Sequence, residues 1–273
     1  MTIERETATP GVEADAAAAE SGAGRAEPSA APGPRAQAPD SDRPERILVI
    51  VAHPDDADFG PAATVAAWVD GGSVARLVCC TSGDAGGEDP ELDPLELAHL
   101  REQEQRAAAA IVGYEEVVFL HRPDGALEND LALREQLVRL LREFRPDAVM
   151  AMDPTVLIHD DGYIQHTDHR AAGMAALDAV YPAARNPMAF PHLARQGLAA
   201  HVVPRVYLFW SERPNIWLDI GATLERKVAA LRAHASQIRE PEKLETRIRE
   251  WAAEEGARCG VAAAEAFRLV RIE

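Results

Sequence analysis

From residue 47 onward, apolar and polar positions divide the chain into alternating strand-like and helix-like stretches. Ile47–Ala52 (ILVIVA) is an uninterrupted aliphatic run, which predicts a strand buried on both faces of a parallel sheet. Pro61–Asp70 predicts a helix with proline in its first turn, closed by Gly71-Gly72. Ser73–Thr81 predicts a second strand, Leu95–Ile111 a long helix ending near Gly113, and Val117–Leu120 a short strand. Leu127–Phe144 has helical spacing at Leu131, Leu133, Leu137, Leu140 and Leu141. Asp147–Met152 predicts a fourth strand and His169–Val180 a further helix. Val202–Trp210, Ile216–Ile220 and Ala266–Ile272 then read as strands, and Thr223–Ile238 and Glu242–Gly256 as helices.

Strand and helix alternating with short connections is the pattern of right-handed βαβ units. The expected fold class is therefore α/β, Rossmann-like, with a mostly parallel sheet flanked by helices. No internal repeat or later linker divides residues 46–273, which read as a single domain. Residues 1–45 are rich in Ala, Pro, Gly and Glu and have no aromatic residue. Such a stretch buries too little apolar area to offset its chain entropy, and it is expected to be a disordered tail.

The formal charge is −17, and the first 46 residues, with nine acidic and five basic side chains, account for only −4 of it. Phosphate backbones and anionic membranes need clustered Lys and Arg, so nucleic acid is not an expected partner. Cys79, Cys80 and Cys259 show no paired spacing. With no signal-peptide pattern and no apolar run approaching ~18 residues, they predict a reducing cytoplasm and no membrane span.

Candidate chemistry sits in the loops where strands end, the edge at which open α/β sheets bind ligands. The first strand stops abruptly in His53-Pro54-Asp55-Asp56, with Pro54 stiffening the turn. Far downstream, His166-Thr167-Asp168-His169 lies where the loop after the fourth strand runs into a helix. The first and fourth strands of such a sheet are commonly neighbours, so the two segments can meet. Two imidazoles and one carboxylate suit zinc, with a fourth position left for water. Asp55, beside Asp56, is then free to act as general base. Whichever downstream histidine is not a ligand can serve as acid or oxyanion stabiliser, with Asp168 fixing its tautomer.

AHPDDADFG followed by a helix, a strand ending in TSGD, R-x-x-E in a helix and then H-x-D-H resembles the PIG-L/LmbE-like zinc-dependent N-deacetylases. The resemblance covers essentially all of residues 46–273. It implies hydrolysis of the N-acetyl group of an amino sugar or sugar-containing metabolite by activated water. A larger amide, such as a thiol-sugar conjugate, is the alternative substrate; a catalytically quiet scaffold recruiting a partner through its tail is the competing class. The resemblance implies His53, Asp56 and His169 as ligands of Zn2+, a set that also accepts other divalent ions. It makes Asp55 the general base, His166 the group that protonates the leaving amine or stabilises the oxyanion, and Asp168 the residue that orients His166. Asp84, Arg101 and Asp124 match positions that contact the sugar, and Arg101 has a competing reading as an ion pair with Glu104. The family is often oligomeric, so a homo-oligomer is expected. Two features depart from the pattern. Ala57 and Asp58 follow the second aspartate where many members have glutamate, and Ile164 stands where some carry a tyrosine, leaving Tyr163 as the nearest one. Asp178–Pro191 is expected to form a loop over the site.

Overall fold

A computed structural model describes residues 35–87, 89 and 91–273. The expected disorder of residues 1–34 lies outside the described residues. From residue 35 onward, the described residues belong to one compact unit. The strands are β1 (Arg46–Val51), β2 (Val74–Thr81), β3 (Glu116–Arg122), β4 (Ala148–Met152), β5 (Arg205–Phe209), β6 (Ile216–Asp219) and β7 (Ala264–Arg271). They form one sheet in the order β3-β2-β1-β4-β5-β7-β6. The first five run parallel, and β7 lies antiparallel to both β5 and β6. Five strands therefore end at one edge. The sheet centre is built of β1 and β4, whose residues 47–51 and 148–152 are fully buried or nearly so. Both faces of these strands are covered, which is why their sequences are continuous aliphatic runs and not alternating ones.

The helices are α1 (Asp56–Phe59), α2 (Ala62–Asp70), α3 (Pro94–Val112), α4 (Leu131–Phe144), α5 (Thr167–Asp178), α6 (Pro191–Arg195), α7 (Leu224–Arg232) and α8 (Pro241–Cys259). α4 starts four residues later than its leucine spacing predicts, because the Asp130 carboxylate accepts the Leu133 N–H at 2.6 Å and caps the first turn. The residues before it are spent elsewhere: the N–H groups of Gly125 and Leu127 reach the Asp168 carboxylate.

The segment 178–191 does not cover the strand-exit edge as expected. Twelve residues of α5 carry the chain to the opposite edge, where the buried Arg142 guanidinium, near the end of α4, donates to the carbonyls of Ala183, Ala184, Asn186 and Ala189. There His201 joins the Ala184 carbonyl to that of Pro146, just before β4 begins. Residues 35–45 also differ from a free tail. The main chain of Gln37 pairs with Trp217 and Asp219 beside β6, and Asp42 meets Arg205 and Arg271. Among the described residues no helix is long and apolar enough to cross a membrane.

α5 approaches the end of β4 closely at Gly173. A Cβ there would collide with the Met152 carbonyl oxygen and lie 3.2 Å from Pro154 Cδ. His169 is one turn earlier on the same helix face, so this contact sets its height over the strand ends. Gly173→Ala is expected to push α5 outward and cost about 1–3 kcal/mol of unfolding free energy, as overpacking does. Urea unfolding checks it; a change under about 0.5 kcal/mol would contradict the close contact.

Candidate active site

The adjacency of β1 and β4 decides which loops meet. Beyond Val51 the chain turns through His53-Pro54-Asp55-Asp56, and the turn closes on itself: the His53 N–H donates to Asp56 Oδ2 at 2.7 Å. Across the β4 exit, α5 begins at Thr167 and brings His169 over the same point. His169 Nε2 lies 3.1 Å from Asp56 Oδ1, and His53 Nδ1 lies 3.5 Å from Asp56 Oδ2. The rings of His53, His166 and His169 are 5.0–5.2 Å apart, centroid to centroid. Trp210, at the end of β5, closes the side of His169 with its ring 5.3 Å away.

The other nitrogen of His53 faces two carboxylates. Nε2 lies 3.0 Å from Asp124 Oδ1 and 3.3 Å from Asp168 Oδ2. Asp124 is fixed by the Ala85 N–H, and Asp168, fully buried, by the N–H groups of Gly125 and Leu127. A carboxylate pair at Nε2 keeps a proton there and leaves Nδ1 facing Asp56, the orientation in which a metal-ligating histidine is usually held. Asp168 therefore serves His53 with its carboxylate, and not His166 as expected. His166 is reached by the Asp168 main chain, whose N–H donates to Nδ1 at 3.2 Å as the helix cap. With Nδ1 accepting that bond, Nε2 of His166 carries the proton of the neutral ring and is free to donate.

Charge is crowded here. Burial disfavours an imidazolium at His53, but Asp56, with hydrogen bonds to Asp124 and Asp168, outweighs it and pushes His53 up to about 12. Burial likewise opposes ionisation of Asp56, and His169 and His53 hold it well below the usual carboxylate range all the same. Burial and the neighbouring Asp56 charge push Asp55 up to about 7, against the pull of Arg101. His166 is lowered by burial and by repulsion from His53 and His169, so it stays neutral near neutral pH.

Donors suited to a divalent cation cluster here, although His53 and His169 meet different oxygens of Asp56, and the two groups whose ligand atoms all lie within 4.8 Å of one another among the described residues do not include Asp56. Neighbouring ligand atoms around a tetrahedral ion with bonds of ~2.1 Å lie about 3.4 Å apart, close to the two separations on Asp56. His53, His166 and His169 also offer nitrogens near enough to share an ion, as do His53, Asp124 and Asp168. The excess of carboxylate that forces a proton onto His53 would equally favour a cation.

Asp55 stands in a left-handed conformation, φ 97°, that a non-glycine residue keeps only when held. Arg101 supplies one hold. Its buried guanidinium donates to the carbonyls of Pro54 and Gly83 and to Asp55 Oδ2, at 2.8, 3.0 and 3.2 Å. The alternative pair with Glu104 is not made; the partners are the main-chain oxygens of two other loops and the Asp55 carboxylate. The TSGDAGG loop wraps it closely, since a Cβ on either Gly83 or Gly86 would strike the guanidinium. Asp84 is half-buried, and its side chain has no partner among the described residues. Tyr163 is mostly exposed and leans on His159, which is tied to Glu212.

Comparison with known proteins adds a second line. Residues 48–180 match the family described as PIG-L: GlcNAc-PI de-N-acetylase. Diacetylchitobiose deacetylase of Thermococcus kodakarensis is 31% identical over 232 residues, 83% of each chain. A 1D-myo-inositol 2-acetamido-2-deoxy-alpha-D-glucopyranoside deacetylase of Mycobacterium sp. (strain KMS) is 29% identical over 234 residues, 71% of this chain and 74% of that one. Among solved structures, N,N'-diacetylchitobiose deacetylase from Pyrococcus horikoshii, complexed with its inhibitor MPG, superposes with a TM-score of 0.78 at 30% identity, covering 85% of this chain and 88% of the other.

Two of the three candidate sugar contacts, Arg101 and Asp84, behave differently as structural parts. Arg101→Met should cost about 3–5 kcal/mol by leaving buried polar partners unmatched. Asp84→Asn should stay within about 0.5 kcal/mol of wild type. Chemical unfolding of both variants checks this, and equal stabilities would remove Arg101 from its structural role.

Proposed function

Because the chain belongs to the PIG-L family, with its LmbE-like fold, we propose that it is a metal-dependent hydrolase removing the N-acetyl group from an amino sugar or a sugar-containing metabolite. The observation that supports it best is the grip of His53 and His169 on the two oxygens of Asp56, with Asp55 adjoining, at the strand-exit edge of the sheet. In this reading His53, Asp56 and His169 hold the ion, and zinc is the first candidate because two imidazoles and a carboxylate leave one position open. Bound there, a divalent ion polarises the acyl oxygen and lowers the pKa of water to ~7.

The chain's own groups do the rest. Asp55 takes a proton from the attacking water as its oxygen bonds to the acyl carbon. Its elevated proton affinity, set by burial and by Asp56, suits a group that accepts and then returns a proton near neutrality. His166, whose Nδ1 accepts the Asp168 N–H and whose ring stands beside those of His53 and His169, donates through Nε2–H to the oxygen that gains negative charge. When the C–N bond breaks, the nitrogen takes the proton back, and acetate and a free amine leave. Asp124 and Asp168 hold His53 in one tautomer throughout and take no part in the proton traffic.

The same chemistry cleaves a larger acyl amide, such as that of a thiol-sugar conjugate; only the pocket walls would differ. A panel of N-acetylated amino sugars and thiol-sugar conjugates, followed by release of free amine, separates the two.

Asp55→Ala should retain its metal and lose turnover by ~10²–10⁴-fold, the usual worth of a general base. His169→Ala should lose the metal itself. Metal analysis of each purified variant beside its rate is the check, and a fully active, metal-loaded Asp55→Ala protein would overturn the assigned mechanism.

A further inference from the structure

His234 lies just beyond α7, fully buried, touching neither the His53–Asp56–His169 group nor the mouth of the site. Its Nε2 is 2.9 Å from Oδ2 of Asp58, which is also fully buried and sits in the first turn of α1. The same Asp58 oxygen accepts from Gln105 Nε2 at 2.8 Å, and the other end of that amide, Oε1, accepts the Asp55 main-chain N–H at 2.7 Å. A continuous path of hydrogen bonds thus runs from His234 through Asp58 and Gln105 to the one residue in this turn with a left-handed backbone. The far end is anchored as well. Glu104 of α3 accepts the Ser236 N–H at 2.7 Å and the Ser236 hydroxyl at 2.6 Å, which fixes the turn that carries His234.

The arrangement uses one helix face twice. Arg101, Glu104 and Gln105 are three and four residues apart on α3. Arg101 grips the Asp55 turn from one side, Gln105 holds its N–H, and Glu104 secures the loop that supplies His234. Nothing in this path needs a carboxylate for packing alone. A buried Asp58 with an unpartnered Oδ1 is costly, and an apolar residue would fill the space at less expense in desolvation. The path makes sense if its product is the fixed direction of Asp55, since a general base must be held to within about half an ångström of its productive position.

We propose that His234 is a positioning residue for the hydrolysis, acting through Asp58 and Gln105 to hold the strained turn that aims Asp55. The kinetic part of this inference rests on the deacetylase reading; the structural part does not.

Two variants and two readouts test it. In His234→Leu, kcat on the N-acetyl amino sugar that wild type turns over fastest should fall ~10–100-fold, the usual loss when a supporting partner is removed, with KM within about twofold and metal content unchanged. His234→Gln, which keeps a donor toward Asp58, should recover most of kcat. Hydrogen exchange of the peptide spanning Asp55–Phe59 should quicken in the Leu variant and return toward wild type in the Gln variant. If His234→Leu does not fold, Ser236→Ala carries the test with the same pattern at smaller amplitude. Wild-type kcat and wild-type protection in a folded His234→Leu protein would overturn the proposal, as would equal losses in Leu and Gln. A wild-type protein that hydrolyses no member of the panel refutes the deacetylase reading alone, because the exchange measurement still decides whether His234 holds the turn.

Discussion

One carboxylate between two imidazoles is the contact on which the rest depends. Asp56 offers one oxygen to His53 and the other to His169, residues separated by more than a hundred positions and brought together only because β4 lies beside β1. Around that contact the protein gathers more negative charge than it can neutralise by itself. Asp124 and Asp168 crowd the far nitrogen of His53, and Asp55 sits next in the chain. Burying this much carboxylate is unfavourable unless something positive shares the space. A proton on His53 meets part of that demand, and a divalent cation would meet more of it.

The surrounding structure works to keep the contact in place. α5 is seated on the end of β4 through a glycine, which fixes where His169 stands. Main-chain N–H groups of the loop after β3 hold Asp168, which in turn holds His53. α3 supplies the opposite support, with Arg101 reaching two loop carbonyls and Asp55 at once. A guanidinium is the side chain suited to that task, because its planar fork serves several acceptors in fixed directions. The result is a site whose parts sit on strand ends and helix starts, each braced by a second element.

The sheet was legible in the sequence because burial on both faces leaves a plain mark: Ile47–Ala52 and Asp147–Met152 have almost no room for polar side chains. The site segments were legible for a related reason, since polar clusters that interrupt such runs mark the strand-exit edge. What escaped were partners that spacing cannot relate. Gln105 and His234 serve Asp55 and Asp58 from other elements, so neither looks special in its own stretch. Arg101 was ambiguous because its main partners are backbone carbonyls, which every residue has. Trp210 read as the end of a strand and proved to be a wall beside His169. Asp178–Pro191 was misplaced because counting residues does not show that α5 crosses the full depth of the sheet. The start of α4 was misread because Leu127 extends the apolar spacing while its N–H is already committed to Asp168.

The central claim, that the β1 exit and the start of α5 grip one divalent cation, is tested most directly by a crystal structure of the zinc-loaded protein with anomalous scattering recorded at the zinc edge. The account predicts one strong peak within ~2.0–2.2 Å of a nitrogen of His53, an oxygen of Asp56 and a nitrogen of His169. A peak bonded instead between His53, Asp124 and Asp168, or none near Asp56, would contradict it.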